Sequence, residues 1–222
     1  KEGFPPLQIA GKRLAKKRVF LSRPLSTQFV SALLLIGVEA DTDISSPYIE
    51  MTRQMIARAQ KGLALEMEQD WSSAAFWYEW VALHGGELWL LGLRQDTLQG
   101  DREVANIFAH LGVATTFTDE GAIIRHTAQI DSELSVNFAA TPDLYPAVAI
   151  ACEKLGVRLI ATGTESLIIK ESDRLAAVAD HRTEGDHRMA MALLAADLPC
   201  DDTACINKSY PLFMSELCRL KG

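Results

Sequence analysis

The order of local signals constrains this chain most. Stretches with helical spacing alternate with short apolar runs, and the sequence helix, strand, helix, hairpin recurs. Such alternation marks an α/β or mixed α+β fold. In the middle of the chain, Ser72 and Ser73 open a predicted helix through AAFWYEWVAL that stops at Gly85 and Gly86. ELWLLGL then reads as a buried strand, GDREVANIFAHLG as a second helix, and VATTF and AIIRHT as a hairpin turning at TDEG. The order returns as the helix PDLYPAVAIACEKLG, the strand VRLIATG and the helix ESDRLAAVA, but the chain then runs straight into DHRTEGDHRMA without a hairpin. Near the start, Ser26 or Thr27 caps a helix through FVSALLLI that Gly37 ends, and Ser46 with Pro47 opens another that closes at Gly62. GVEADTDISSPY leaves little room for a strand between those two helices. The pattern reads as a repeated unit with surface pieces missing, either from the protein or only from this stretch of it.

At 222 residues and 48% hydrophobic content, the chain can bury a proper core in one domain or two small ones. Tyr48, Met51, Met55, Ile56 and Ala59 recur at helical spacing and are expected to face it. Trp71, Phe76, Trp77, Trp80 and Trp89 are read as core rather than as a stacking platform. The formal charge of −7 argues against a nucleic-acid surface but leaves room for small anionic ligands, which need only local positive charge. Cys152, Cys200, Cys205 and Cys218 show no CxxC spacing and read as reduced thiols, with Cys152 a small core residue. The longest apolar stretch, around Phe29 to Val38, is too short to span a membrane, and KEGFPPLQIAGKRLAKK lacks a signal-peptide apolar region. A cytoplasmic protein is expected.

The placement of the basic residues is the most informative functional signal. Lys170 and Arg174 flank the start of the helix opened by KESDR, Arg188 stands in the first turn after Asp186 and His187, and Lys208 precedes a helix entered through Ser209, Tyr210 and Pro211. Cations at helix N-termini oppose the helix dipole, at about 0.3 to 1 kcal/mol each, unless a bound anion reverses the local balance. Ser26, Thr27 and Gln28 offer hydroxyls and an amide at another N-terminus, and Ser45 repeats the arrangement. Two acids lie among these groups. Asp143 is either an ordinary N-cap or a general base, and Glu171 either a first-turn carboxylate favoured by the dipole or a proton donor. Asp173 and Asp186 read as structural. His187 reads as a hydrogen-bonded site histidine, with no other histidine at metal-ligand spacing from it.

The segments STQFVSALLL (26–35), SSPYIEMT (45–52), DWSSAAFW (70–77), LQGD (98–101), PDLYPAVA (142–149), KESDRLAA (170–177), GDHRMAM (185–191) and NKSYP (207–211) resemble, in order, the 5-enolpyruvylshikimate-3-phosphate (EPSP) synthases. GFPPLQIAG (3–11) is similar to the segment leading into the first of them. The resemblance implies two domains of repeated βαβαββ units with helix N-termini facing the cleft between them. Residues 1–68 would be part of the first domain and 69–222 the second. It further implies transfer of the carboxyvinyl group of phosphoenolpyruvate to shikimate 3-phosphate by addition and elimination. Ser26, Thr27, Gln28, Ser45 and Lys170 would hold shikimate 3-phosphate, with Tyr48 near its ring and Gln28 also near phosphoenolpyruvate. Arg174, Arg188 and Lys208 would hold phosphoenolpyruvate, Asp143 would take the hydroxyl proton, and Glu171 would protonate the methylene carbon. A monomer needing no metal, cofactor, nucleic acid or membrane is implied.

There are departures from the family pattern. Thr27 stands for a second serine, and Ser166 for an asparagine of some members. An early lysine-serine pair and arginine, and a glycine-rich asparagine-glycine segment with its arginine, have no counterpart. Two other readings follow: a UDP-N-acetylglucosamine enolpyruvyl transferase, which shares fold and donor, and a non-catalytic remnant of the same fold. KESDR with NKSYP favours the shikimate enzyme.

Overall fold

A computed structural model describes residues 8, 10, 11, 18–64, 67–163 and 182–222. The chain forms two compact units, Lys1–Leu65 and Glu66–Gly222. In the first, strand β1 (Arg18–Leu21) leads to helix α1 (Gln28–Leu35), and strand β2 (Glu39–Thr42) to helix α2 (Pro47–Gln60). The two strands pair in parallel, Arg18 opposite Glu39 and Leu21 opposite Thr42. The segment expected to be too short for a strand thus holds one, because four residues suffice to pair when a helix returns the chain alongside β1. Val30, Ala40 and Ile49 form the small core of this unit. Ile49, and not the expected methionine stripe, is the buried residue of α2, while Met51, Met55 and Ile56 are half-buried and Ala59 is exposed.

The second unit is organised around helix α3 (Trp71–His84). Trp71 and every residue from Ala74 to Ala82 are buried, so the helix is packed on all sides rather than along one stripe. Its start is set by Asp70, whose carboxylate accepts from the Ser72 amide at 3.0 Å, and not by the serines themselves. Around it lie strand β3 (Glu87–Leu91), a 3-10 turn (Gly100–Glu103), helix α4 (Val104–Ala109), and strands β4 (Leu111–Thr118) and β5 (Gly121–Ile130). These three strands form an antiparallel sheet in the order β3-β5-β4. Strand β6 (Glu133–Asn137), helix α5 (Tyr145–Leu155) and strand β7 (Arg158–Thr162) follow, with β6 and β7 parallel. Helices α6 (His187–Ala195) and α7 (Phe213–Lys221) complete the described residues. The predicted helix in ESDRLAAVA lies outside them.

Aromatic side chains pin α3 to its neighbours. Phe76 and Trp77 meet Phe213 with ring centroids 6.0 and 5.2 Å apart, and Tyr78 meets Phe108 at 5.8 Å. Burying side chains of this size stabilises the fold by roughly 1.5 to 3 kcal/mol each. Cys152 is buried as expected, and its surroundings push the thiol pKa up to about 12. Two expectations fail at β3. It is an edge strand with alternating sides, not a buried one, and Trp89 is 59% exposed. A continuous apolar run cannot by itself distinguish a strand covered on both faces from one whose outer face carries a tryptophan. The Trp89 indole donates to Glu87, which also pairs with Arg125 across the sheet.

Glu79 sits within this core with 0% exposure, and neither carboxyl oxygen finds a partner among the described residues. Burial drives its pKa well above the ordinary value, so the side chain is held protonated. The unfolded chain ionises Glu79 at ordinary carboxylate pH while the fold does not. Stability is therefore complete below the unfolded pKa and falls as pH rises toward the folded one. Glu79→Leu is expected to raise the melting temperature, with a gain of roughly 1 to 3 kcal/mol that is larger at pH 8 than at pH 4. Thermal unfolding of both proteins at the two pH values checks this. An equal gain at both would assign the effect to packing alone.

Candidate active site

In each unit the polar residues singled out by sequence gather where parallel strands end. The loop after β1 carries Ser26, Thr27 and Gln28 into the start of α1, and the loop after β2 carries Ser45 into the start of α2. Because β1 and β2 run parallel, both helix N-termini lie at the same end of the unit. Asp43 ties the two loops together, accepting from the Arg23 amide at 2.8 Å and the Ser22 hydroxyl at 2.9 Å. Those bonds hold its carboxyl below the usual range. The Ser26 hydroxyl accepts from the Gln28 amide at 3.2 Å, while Thr27, at the cap position, makes no side-chain cap bond. Gln28 and Ser45 are exposed and Tyr48 is half-buried in the first turn of α2.

The second unit repeats the geometry. Asn137 ends β6 and Thr162 ends β7 on the same side of a parallel pair. The ends pack so closely that a Cβ on Gly163, at φ +70°, would stand 2.2 Å from Asn137 Oδ1 and 2.6 Å from the Ala139 amide nitrogen. Beyond β6, Asp143 lies in a 3-10 turn (Pro142–Leu144) ahead of α5. It is not an N-cap: Thr141 holds that position, and the Asp143 carboxylate instead accepts from the Arg188 guanidinium at 2.6 Å. Both side chains are about one-third exposed, at 33% and 28%. Arg188 stands in the first turn of α6, whose N-cap is Asp186, its carboxylate accepting from the Arg188 amide at 2.8 Å.

Lys208 differs from expectation. It ends a 3-10 turn (Ala204–Lys208) rather than preceding a helix, since α7 begins only at Phe213. Its ammonium donates to the Gly185 carbonyl at 2.8 Å, which brings it to the loop that launches Arg188. His187 is half-buried in the same cluster. Burial first, and then Arg188 and Lys208, lower its pKa against the opposing pull of Asp186 and Asp143. The structure thus brings together Asp143, His187, Arg188 and Lys208; Lys170, Glu171, Arg174 and Ser166 lie outside the described residues. Sequence reasoning missed Asp43, Thr183 and Asp201, which shape the loops at these ends. Each is a short polar side chain in a turn, a pattern too common to single out.

A cavity of about 610 Å³ among α3, β3 and α7, lined by Trp77, Leu88, Leu90, Tyr210, Glu216 and Arg219, includes none of these residues. Among the described residues no three His, Cys, Asp or Glu side chains converge to hold a metal ion, and no helix is long and apolar enough to cross a membrane. The first unit offers hydroxyl and amide donors at its helix N-termini, and the second a guanidinium and an ammonium near the Asp143 carboxylate. Each set suits small phosphorylated or carboxylated anions.

Comparison with known proteins names the class. Residues 57–181 match the family model "EPSP synthase (3-phosphoshikimate 1-carboxyvinyltransferase)". A 3-phosphoshikimate 1-carboxyvinyltransferase of Bacteroides fragilis is 30% identical over 280 aligned positions, covering 97% of this chain and 68% of the relative. One of Methanopyrus kandleri is 30% identical over 275 positions, with 97% and 63% covered. A solved structure of EPSP synthase from Acinetobacter baumannii superposes with a TM-score of 0.61 at 20% identity, over 93% of this chain and 63% of that one. This chain belongs to the EPSP synthase family. It spans about two thirds of the length of these relatives. The 280 aligned positions exceed the 222 residues present by 58, so at least that many positions of the Bacteroides relative have no counterpart here. The relatives found carry the name of the shikimate enzyme, which disfavours the uridine-sugar transferase as an alternative.

Burial and the neighbouring Arg188 and Lys208 lower the His187 pKa and so favour the neutral imidazole. Removing a neighbouring cation in Arg188→Ala is expected to move the midpoint upward, read from the His187 ring signals by NMR. An unmoved midpoint would show that the guanidinium does not act on the ring.

Proposed function

We propose that this chain carries the shikimate 3-phosphate and phosphoenolpyruvate sites of a 3-phosphoshikimate 1-carboxyvinyltransferase and works as a cytoplasmic monomer. The observation that supports this most is the Arg188–Asp143 contact at the shared end of β6 and β7. It sets a candidate proton acceptor directly beside a fork-shaped anion receptor. In this reading residues 1–68 hold the acceptor through Ser26, Thr27, Gln28 and Ser45, with Tyr48 near the ring. Residues 69–222 hold the donor and perform the proton transfers, and Lys170 is assigned to the acceptor by the family resemblance.

Asp143 takes the proton of the 5-hydroxyl as that oxygen bonds to C2 of phosphoenolpyruvate, and Glu171 delivers a proton to the methylene carbon. Removal of a proton from the new methyl group and departure of phosphate then leave the enol ether. Arg174, Arg188 and Lys208 stabilise the carboxylate and phosphate charge throughout, so the scheme calls for no metal or cofactor. Arg188 has two claimants. An incoming carboxylate competes with Asp143 for the same guanidinium, and an anion bound there releases Asp143 Oδ2 to accept the hydroxyl proton. His187 stands beside Arg188 and Lys208 in the same cluster, where burial and those cations favour its uncharged form. The positions without counterpart support a second reading, in which both ligands bind but turnover fails.

Calorimetric titration of the 222-residue chain with each substrate, followed by phosphate release with both, tests the proposal. Binding of shikimate 3-phosphate but not of a uridine nucleotide sugar is expected. Binding without phosphate release would select the second reading, and no binding of either substrate would overturn both. Asp143→Ala is expected to lower phosphate release by about 10²- to 10⁴-fold, the usual worth of a positioned general base. Arg188→Ala is expected to raise KM for phosphoenolpyruvate by about tenfold or more, as loss of a charged hydrogen bond implies. Normal turnover by Asp143→Ala would remove its role as base.

A further inference from the structure

The loop before α6 is a four-residue turn, Thr183 to Asp186, closed by the Asp186 amide donating to the Thr183 carbonyl at 2.8 Å. Both central residues have positive φ, Glu184 at 51° and Gly185 at 76°. Glycine adopts that conformation readily, but glutamate does so only where its surroundings impose it. The surroundings do so at three points. Thr183 is 2% exposed, and its amide donates to the Asp201 carboxylate at 2.8 Å. The Thr183 hydroxyl also bonds that carboxylate and accepts from the Gly185 amide at 3.3 Å. At the other end of the turn, Lys208 holds the Gly185 carbonyl.

Everything downstream depends on this turn. It fixes the Asp186 cap, and through it the first turn of α6 that presents Arg188 to Asp143. It also fixes the carbonyl that orients the Lys208 ammonium. We infer that Asp201 is a positioning residue for the phosphoenolpyruvate site: by anchoring the buried Thr183 amide it locks the Thr183–Asp186 turn that places Arg188 and Lys208 together. Asp201 is itself exposed, on the segment leading to the 3-10 turn of Lys208. The carboxylate therefore couples the two stretches that supply the cations, without touching a ligand. Loss of it leaves a buried amide without an acceptor and a left-handed glutamate without its restraint. The bonds from Thr183 hold the Asp201 carboxyl below its usual range, so the clamp stays engaged through neutral pH and releases only in acid.

This inference rests on the donor-site reading above, and its test separates the two. Asp201→Ala in the 222-residue chain is expected to weaken phosphoenolpyruvate binding about tenfold, the worth of one hydrogen bond to a charged group. The affinity for shikimate 3-phosphate should stay within about twofold. Asp201→Asn, whose amide oxygen still accepts from Thr183, should recover most of the loss. Hydrogen exchange adds a readout independent of any ligand: the Thr183 and Asp186 amides should exchange faster in Asp201→Ala, with those of α5 unchanged. Unaltered exchange at both positions, equal losses in the Ala and Asn variants, or an equal effect on both substrates would each overturn the inference. Should the parent chain bind no phosphoenolpyruvate, the donor-site reading falls. The clamp is then decided by exchange and by the acylation rate of Lys208, which should rise in the Ala variant if Asp201 places it.

Discussion

Two parallel strands cannot be joined by a tight turn; the chain must cross back over the sheet, and here it crosses as a helix. Every crossover delivers a strand C-terminus and the next helix N-terminus to the same end of the sheet. Both units of this chain are built on that constraint, with β1–α1–β2 in one and β6–α5–β7 in the other. Their candidate site residues are sorted accordingly, Ser26 to Gln28 and Ser45 at one such end, Asp143 at another. Apolar residues occupy the sides of the helices, where α3 in particular is enclosed all round. Side chains that bind and side chains that pack thus compete little for the same positions.

At the start of α6 the fold creates an electrostatic problem. Arg188 occupies the first turn of α6, where the helix dipole disfavours a cation. Two carboxylates answer it, Asp186 by capping the helix through the Arg188 amide and Asp143 by pairing with the guanidinium. Neither is deeply buried, so the pair adds about 1 kcal/mol or less to stability. Such an accessible guanidinium can change partners, as one locked in a dry ion pair would not.

The elements legible in sequence were those with a local cause. The start of α6 follows from Asp186, the ends of α1 and α2 from Gly37 and Gly62, and the hairpin of β4 and β5 from the TDEG turn. What failed was decided at a distance. Strand β2 exists because α1 returns the chain beside β1, and nothing in GVEADTDISSPY itself announces a partner. Trp89 faces outward because β3 lies at a sheet edge, a fact of topology and not of hydrophobicity. In the site, Arg188 and Asp143 were legible singly, as residue types at helix starts and through a family resemblance. Their contact joins residues 45 positions apart and needed the fold. Asp43 and Asp201 were invisible for a related reason: each acts by accepting from a backbone amide of a loop that sequence cannot bring near it.

The two units also differ in what holds them together. The second has a continuous core built on α3, whereas among the described residues the first centres on Val30, Ala40 and Ile49, with Leu21, Leu33 and Leu34 packed against them. Polar contacts also cross its parallel strands. Asp41 joins Arg18 and Arg53, and Asp43 joins Ser22 and Arg23. The hydrogen bonds from Arg18 and then Arg53 hold the Asp41 carboxyl below its ordinary range, as the Arg23 amide and Ser22 hydroxyl do for Asp43. Their stabilisation is present above the unfolded carboxylate pKa and is lost as pH falls through the folded values. Carboxylates thus order loops in both units, Asp43 beside Ser26 to Gln28 and Asp201 at the Thr183–Asp186 turn, while α3 and its neighbours rest on an apolar core.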